Sequence, residues 1–152
     1  MPSQKTTKAQ TAGGRADNTE GRGNAPQVIV EILFENGVFF ICVNNIGSQP
    51  ALKISVKFDK KLIGLGGTKE ISGLALFKNI EFLGPGRNVT TLLDTSTSYF
   101  KRRQPTAVSV RIVYFDSDDK KYESLIKHDL EIYRDLSYLP TTLGKAQNDD
   151  RS

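Results

Sequence analysis

Tryptophan is absent from the 152 residues, and cysteine, histidine and methionine occur once each. One cysteine, Cys42, excludes an intrachain disulfide framework and a cysteine-rich zinc site. One histidine, His128, excludes any site that needs two imidazoles. No apolar run approaches the roughly 18 residues of a membrane-crossing helix. Without tryptophan, a flat sugar-stacking platform would have to be built from tyrosine.

Charge of one sign is also scarce. The net charge is +4, from 21 Lys plus Arg against 17 Asp plus Glu. Ahead of Gln27 stand Lys5, Lys8, Arg15 and Arg22 against Asp17 and Glu20, and beyond Leu139 the signs balance. The middle keeps 15 basic and 13 acidic residues, a balance that solubility alone accounts for. A phosphate-covering domain usually shows a more clustered basic face.

Residues 1–26 contain no Val, Ile, Leu, Phe or Tyr. Such a segment cannot bury enough apolar surface to offset its ordering entropy, so a disordered tail is expected there. No apolar stretch follows its basic residues, so it does not read as a secretory signal. Residues 140–152 read as a second flexible tail. A single domain is expected over residues 27–139, in a cytoplasmic setting.

Within that domain the apolar period is two, the β signature. Val28 to Glu35 and Val38 to Val43 flank Asn36-Gly37, the strongest short hairpin signal, because a type I′ turn needs positive φ at both positions. Leu52, Ile54, Val56 and Phe58 alternate with Lys53, Ser55 and Lys57, which predicts a strand with one dry face. Leu74 to Phe77, Ile80 to Leu83 and Val89 to Leu93 read as shorter strands. Asp94 to Pro105 reads as a polar connection. Val108, Val110, Ile112 and Tyr114 mark one face of a strand over residues 107–115. A last strand places Tyr122, Ile126, Leu130 and Ile132 on one side, and a helical turn is expected over residues 135–139. About seven short strands with regular turn signals predict an all-β, antiparallel two-sheet sandwich, with a small β-barrel as the alternative.

Val43-Asn44-Asn45-Ile46-Gly47-Ser48-Gln49-Pro50-Ala51-Leu52-Lys53-Ile54-Ser55-Val56 resembles the N-x-x-G-x-x-x-A-x-x-V-x-V passage of bacterial and archaeal immunoglobulin-like adhesion-type (CARDB-type) domains. Ile80-Glu81-Phe82-Leu83-Gly84-Pro85-Gly86, followed by Val89-Thr90-Thr91-Leu92, is similar to a later passage of the same domains. The resemblance implies an immunoglobulin-like sandwich that binds or spaces rather than catalyses.

Each candidate for chemistry has a plainer reading beside it. His128 falls on the apolar face of the last strand, and Asp129 points to the opposite face, so no catalytic pair is formed. Cys42, between Ile41 and Val43, reads as a small buried hydrophobe rather than a reactive thiol. Asp116, Asp118 and Asp119, with Glu123, offer oxygens for calcium, but the same residues are ordinary turn formers. Gly64-Leu65-Gly66-Gly67-Thr68-Lys69 lacks the spacing and the following helix of a phosphate loop.

The densest basic run, Lys101-Arg102-Arg103, follows Tyr99 and Phe100. Cations interleaved with rings suit single-stranded nucleic acid, where bases stack and the backbone is tracked. The plainer alternative is that the rings anchor a solvated loop. With no nucleophile motif and no paired carboxylates, no enzyme and no cofactor are expected. The reading is a non-catalytic module that binds a protein partner through loops or a sheet edge, with nucleic acid as the alternative partner. An exposed edge strand or an apolar patch near Phe39, Phe40 and Phe115 would support that reading.

Overall fold

The computed structural model describes residues 24–136. Two antiparallel sheets pack face to face. β1 (Val28–Glu35), β2 (Val38–Asn45) and β7 (Asn88–Thr95) form a three-stranded sheet in the order β1-β2-β7. β3 (Ala51–Phe58), β6 (Ile80–Leu83), β8 (Ala107–Phe115) and β9 (Lys121–Asp129) form a four-stranded sheet in the order β6-β3-β8-β9. A two-stranded ribbon joins β4 (Ile63–Gly64) to β5 (Lys69–Glu70). Both main sheets stay open at their edges, so the fold is an all-β sandwich and not the alternative barrel.

The β1–β2 hairpin follows its sequence signal. Glu35 pairs with Val38, and Asn36 and Gly37 take φ values of 52° and 78°, as a type I′ turn requires. β8 also follows its pattern, with Val108, Val110, Ile112 and Tyr114 buried. These side chains meet Val30, Phe39, Ile41 and Val43 of the facing sheet in one core.

Strict alternation fails in β3. Lys53 sits at φ 52°, and the pairing with β8 slips between Leu52 and Ser55. This bulge moves Leu52 off the dry face that the alternation predicts. Ala51, Ile54 and Val56 are buried, whereas Leu52 pairs with Phe82 on one side and Phe115 on the other.

Three other expectations need correction. Leu74 to Phe77 is not a strand: α1 (Ala75–Lys78) is a single helical turn that buries Phe77 edge-on against Phe58, with centroids 5.0 Å apart. A short apolar run does not carry enough periods to separate the two structures. The polar connection after β7 contains α2 (Ser96–Lys101). The last strand stops at Asp129, whose carboxylate accepts the Glu131 N–H at 3.0 Å and starts a 3-10 turn over Leu130–Tyr133. That turn buries Leu130 and leaves Ile132 63% exposed, so the two do not share a face. The helical turn expected over residues 135–139 lies mostly outside the described residues.

The two ends of the described chain lie at opposite poles. At one pole the Ala25 carbonyl accepts the Ser48 N–H at 3.0 Å, and Ala25 and Pro26 are buried, just ahead of the expected start at Gln27. The rest of the N-terminal tail expectation, and all of the C-terminal one, falls outside the described residues. At the other pole Tyr133 stacks on Phe34 with centroids 5.0 Å apart.

Candidate functional site

The basic-aromatic run lies on α2, where the chain leaves the three-stranded sheet and crosses to β8. Thr95 caps the helix, its hydroxyl accepting the Ser98 N–H at 3.2 Å. The Ser96 N–H donates to the Gly37 carbonyl at 2.8 Å, fastening the helix start to the β1–β2 turn. Just past the helix, Arg103 turns the chain in the left-handed region at φ 56°.

Tyr99 points inward and is fully buried. Its ring meets Phe39 edge-on at 5.5 Å, and its hydroxyl donates to the Pro105 carbonyl at 2.5 Å. Burial pushes its pKa well above the usual tyrosine range, opposed by Arg102 and reinforced by Asp94. Phe100 packs edge-on against Phe39 at 5.7 Å, and the Arg134 guanidinium lies over its ring at 4.3 Å.

Arg102 turns back into the fold. Its guanidinium donates to the Ile63 carbonyl at 3.0 Å and to the Ser98 hydroxyl at 3.2 Å, and forms an ion pair with Asp94. Asp94 is 4% exposed, and its other oxygen accepts the N–H groups of Gly66 at 3.2 Å and Thr95 at 2.8 Å. Gln104 completes the link by accepting the Ile63 N–H at 2.9 Å. The run therefore braces the β4–β5 ribbon against the sandwich. Of the five residues, Lys101 and Arg103 are the exposed ones. Tyr99 offers no free ring face for a base, and one face of Phe100 carries Arg134.

The sequence places Asp94 at the start of a polar connection and Gly64 in a glycine-rich loop, and gives neither a part in this site. Asp94 sits next to the apolar Leu93 in a β pattern, with no spacing rule that ties it to Arg102. Gly64 passes so close to β7 that an added Cβ would lie 1.9 Å from the Leu93 carbonyl oxygen. The glycine-rich loop is thus shaped by close packing, with Asp94, an anion, at its Gly66 amide.

The remaining candidates sit apart. His128 Nε2 lies 2.9 Å from the Val30 carbonyl oxygen and bridges the two sheets. Cys42 is buried on the outer side of β2, between Glu31 of β1 and Thr90 of β7. Asp116 uses both carboxylate oxygens internally: one accepts the Asp118 and Lys120 N–H groups at 2.8 and 2.9 Å, the other the Tyr122 hydroxyl at 3.0 Å. Among the described residues no three His, Cys, Asp or Glu side chains are grouped to hold a metal ion. Nor, among the described residues, is any helix long and apolar enough to cross a membrane.

Phe39, Phe40 and Phe115 form no common patch. Phe39 is in the core, while Phe40 and Phe115 lie on opposite outer faces of the sandwich. In place of one patch there are two apolar rows. Leu33, Phe40 and Leu92 pair across the outside of the three-stranded sheet. Phe82, Leu52 and Phe115 pair across the outside of the four-stranded sheet, with Phe82 on its edge strand and 61% exposed.

No curated protein and no solved structure matches the chain. A family model does, over residues 4–134, and so begins within the segment that composition marks as a tail. On that match the chain belongs to the family described as a domain of unknown function, DUF8453.

Proposed function

We propose that this chain is a non-catalytic interaction module of immunoglobulin-like, CARDB-type architecture, which binds a protein partner through the β6 edge of its four-stranded sheet. The observation that carries the reading is Phe82. An aromatic ring this exposed, on an open edge strand and continuous with Leu52 and Phe115, has the make-up of a binding hot spot. A short open edge also offers main-chain groups to an incoming strand. The architecture is supported by the strand order, in which β6 joins β3 rather than β7. It differs from the constant-type immunoglobulin order of four and three strands by one edge strand exchanged between the sheets. The non-catalytic part is supported by the engagement of His128, Cys42 and Asp116 in the fold itself. A cytosolic setting belongs to the same proposal and rests on the composition.

The test is photo-crosslinking in source cells from a benzophenone amino acid at Phe82, with the same group at Lys127 on the opposite edge as control. The expected result is a discrete protein adduct from position 82, resistant to nuclease and absent from position 127. No adduct at 82 would overturn the proposal. Nuclease-sensitive adducts that vanish with Lys101→Ala and Arg103→Ala would overturn it in favour of nucleic acid.

A further inference from the structure

β6 is too short to cover β3. Its last pairing toward the centre of the molecule is Ile80 with Ile54, and β3 runs on to Phe58 with no strand beside it on that side. On the other side the Asp59 N–H donates to the Ser109 carbonyl at 3.0 Å, and Lys57 and Ser55 fall in the same register against Arg111 and Val113. Antiparallel alternation therefore turns the main-chain N–H and C=O groups of Val56 and Phe58 away from β8, toward the side where α1 packs but no strand pairs. Buried main-chain groups are almost always paired, so a bare edge at the rim of a core calls for water or a partner strand.

The space beside that edge is a groove of about 360 Å³ between β3 and α1. Phe58 and Phe77 give it an apolar wall. Lys57 from the strand and Lys78 from the end of α1 line it, both exposed, and no carboxylate does. The Ser72 hydroxyl, also in the lining, is taken by the Leu62 N–H at 2.9 Å and by Glu70 at 3.4 Å. The groove therefore combines an unpaired strand edge, an apolar wall and two cations.

We propose that this groove takes an extended acidic segment of a protein partner, which adds to the free edge of β3 at Val56 and Phe58 and sets its carboxylates against Lys57 and Lys78. Only an extended main chain supplies donors and acceptors at the β repeat. Only negative charge complements a groove lined by two lysines. The site rests on the protein-binding reading above but lies apart from Phe82, so the two are separable.

The probe is a short capped peptide of alternating valine and glutamate, titrated into the full chain and followed by amide NMR. Two further peptides carry glutamine in place of glutamate, or N-methyl groups on alternate residues. The expected result is a shift of the Val56 and Phe58 amides with the glutamate peptide, weakened by salt. Lys57→Glu with Lys78→Glu weakens binding by about tenfold or more, whereas Phe82→Ser leaves it unchanged. Both lysines are exposed, so the variants keep the fold, which circular dichroism verifies. Equal binding of the glutamine or the N-methylated peptide overturns the proposal, as do unmoved Val56 and Phe58 amides at millimolar peptide. A Phe82 adduct that persists in the double charge reversal, alongside a silent groove, sinks this site and leaves the interaction module standing.

Discussion

Asn45 is fully buried, and every polar atom of its side chain is in use. Oδ1 accepts the N–H groups of Gln27 and Gly47 at 3.1 and 3.0 Å, and Nδ2 donates to the carbonyls of Gln49 and Leu83 at 2.8 and 3.0 Å. One side chain thus joins the start of β1, the β2–β3 turn and β6. Asn45→Ala removes the partner of four main-chain groups, the buried Leu83 carbonyl among them, and should cost about 3 kcal/mol, read from the urea midpoint. Gly47 beside it admits no Cβ, since one would lie 2.3 Å from the Ala25 carbonyl oxygen. The basic run divides in the same experiment. Arg102→Ala leaves the Asp94 carboxylate buried without its cation and should cost about 3 kcal/mol. Lys101→Ala, one residue away but exposed, should stay within about 0.5 kcal/mol. Equal losses would show that Arg102 does not brace the corner. The tyrosines set an alkaline limit. Burial, then the hydrogen bond to Asp116, holds the Tyr122 hydroxyl well above its ordinary pKa, and burial does the same for Tyr99. The folded state therefore keeps protons that the unfolded chain releases near the ordinary tyrosine value of 10.0. Stability is complete below that pH and falls as pH rises through it. Tyr122→Phe should flatten the fall in urea midpoint above that pH, and an unchanged slope would count against Tyr122 as a source.

At the scale of elements, what the sequence discloses depends on whether the signal is local. The β1–β2 hairpin is legible because two adjacent residues determine the turn, and Gly37→Ala, which puts a Cβ at positive φ, should cost about 1 kcal/mol by thermal melting. β8 is legible because its alternation is unbroken over the whole strand. The β3 bulge is not, since Lys53 carries no mark of its left-handed conformation, and one slipped residue moves Leu52 from the expected core to the outer row with Phe82 and Phe115. α1 escapes because four residues show no period. The basic-aromatic run was legible as a cluster but not as a brace. Its meaning depends on Asp94, on the preceding strand, and on Ile63 and Gly66, which come from a distant part of the chain. The groove on β3 was invisible for a related reason: it exists because β6 ends early, and pairing length is a tertiary property.

The whole molecule has two poles. Asn45, Gly47 and the 84–87 turn close one, where Gln27 enters; α2, the β4–β5 ribbon and the 3-10 turn at Leu130–Tyr133 close the other, where the described chain leaves. Tension applied between the two ends would therefore pull β1 and β9 lengthwise in opposite directions. The eight paired residues of β1 against β2, and the nine of β9 against β8, would be loaded together in shear and not peeled one at a time. A spring of this geometry yields at high force in a single step, governed by its unfolding rate. Single-molecule stretching from the two termini should show one such event, and pulling instead across the β1–β2 hairpin, between Glu31 and Cys42, should open the same sheet at markedly lower force.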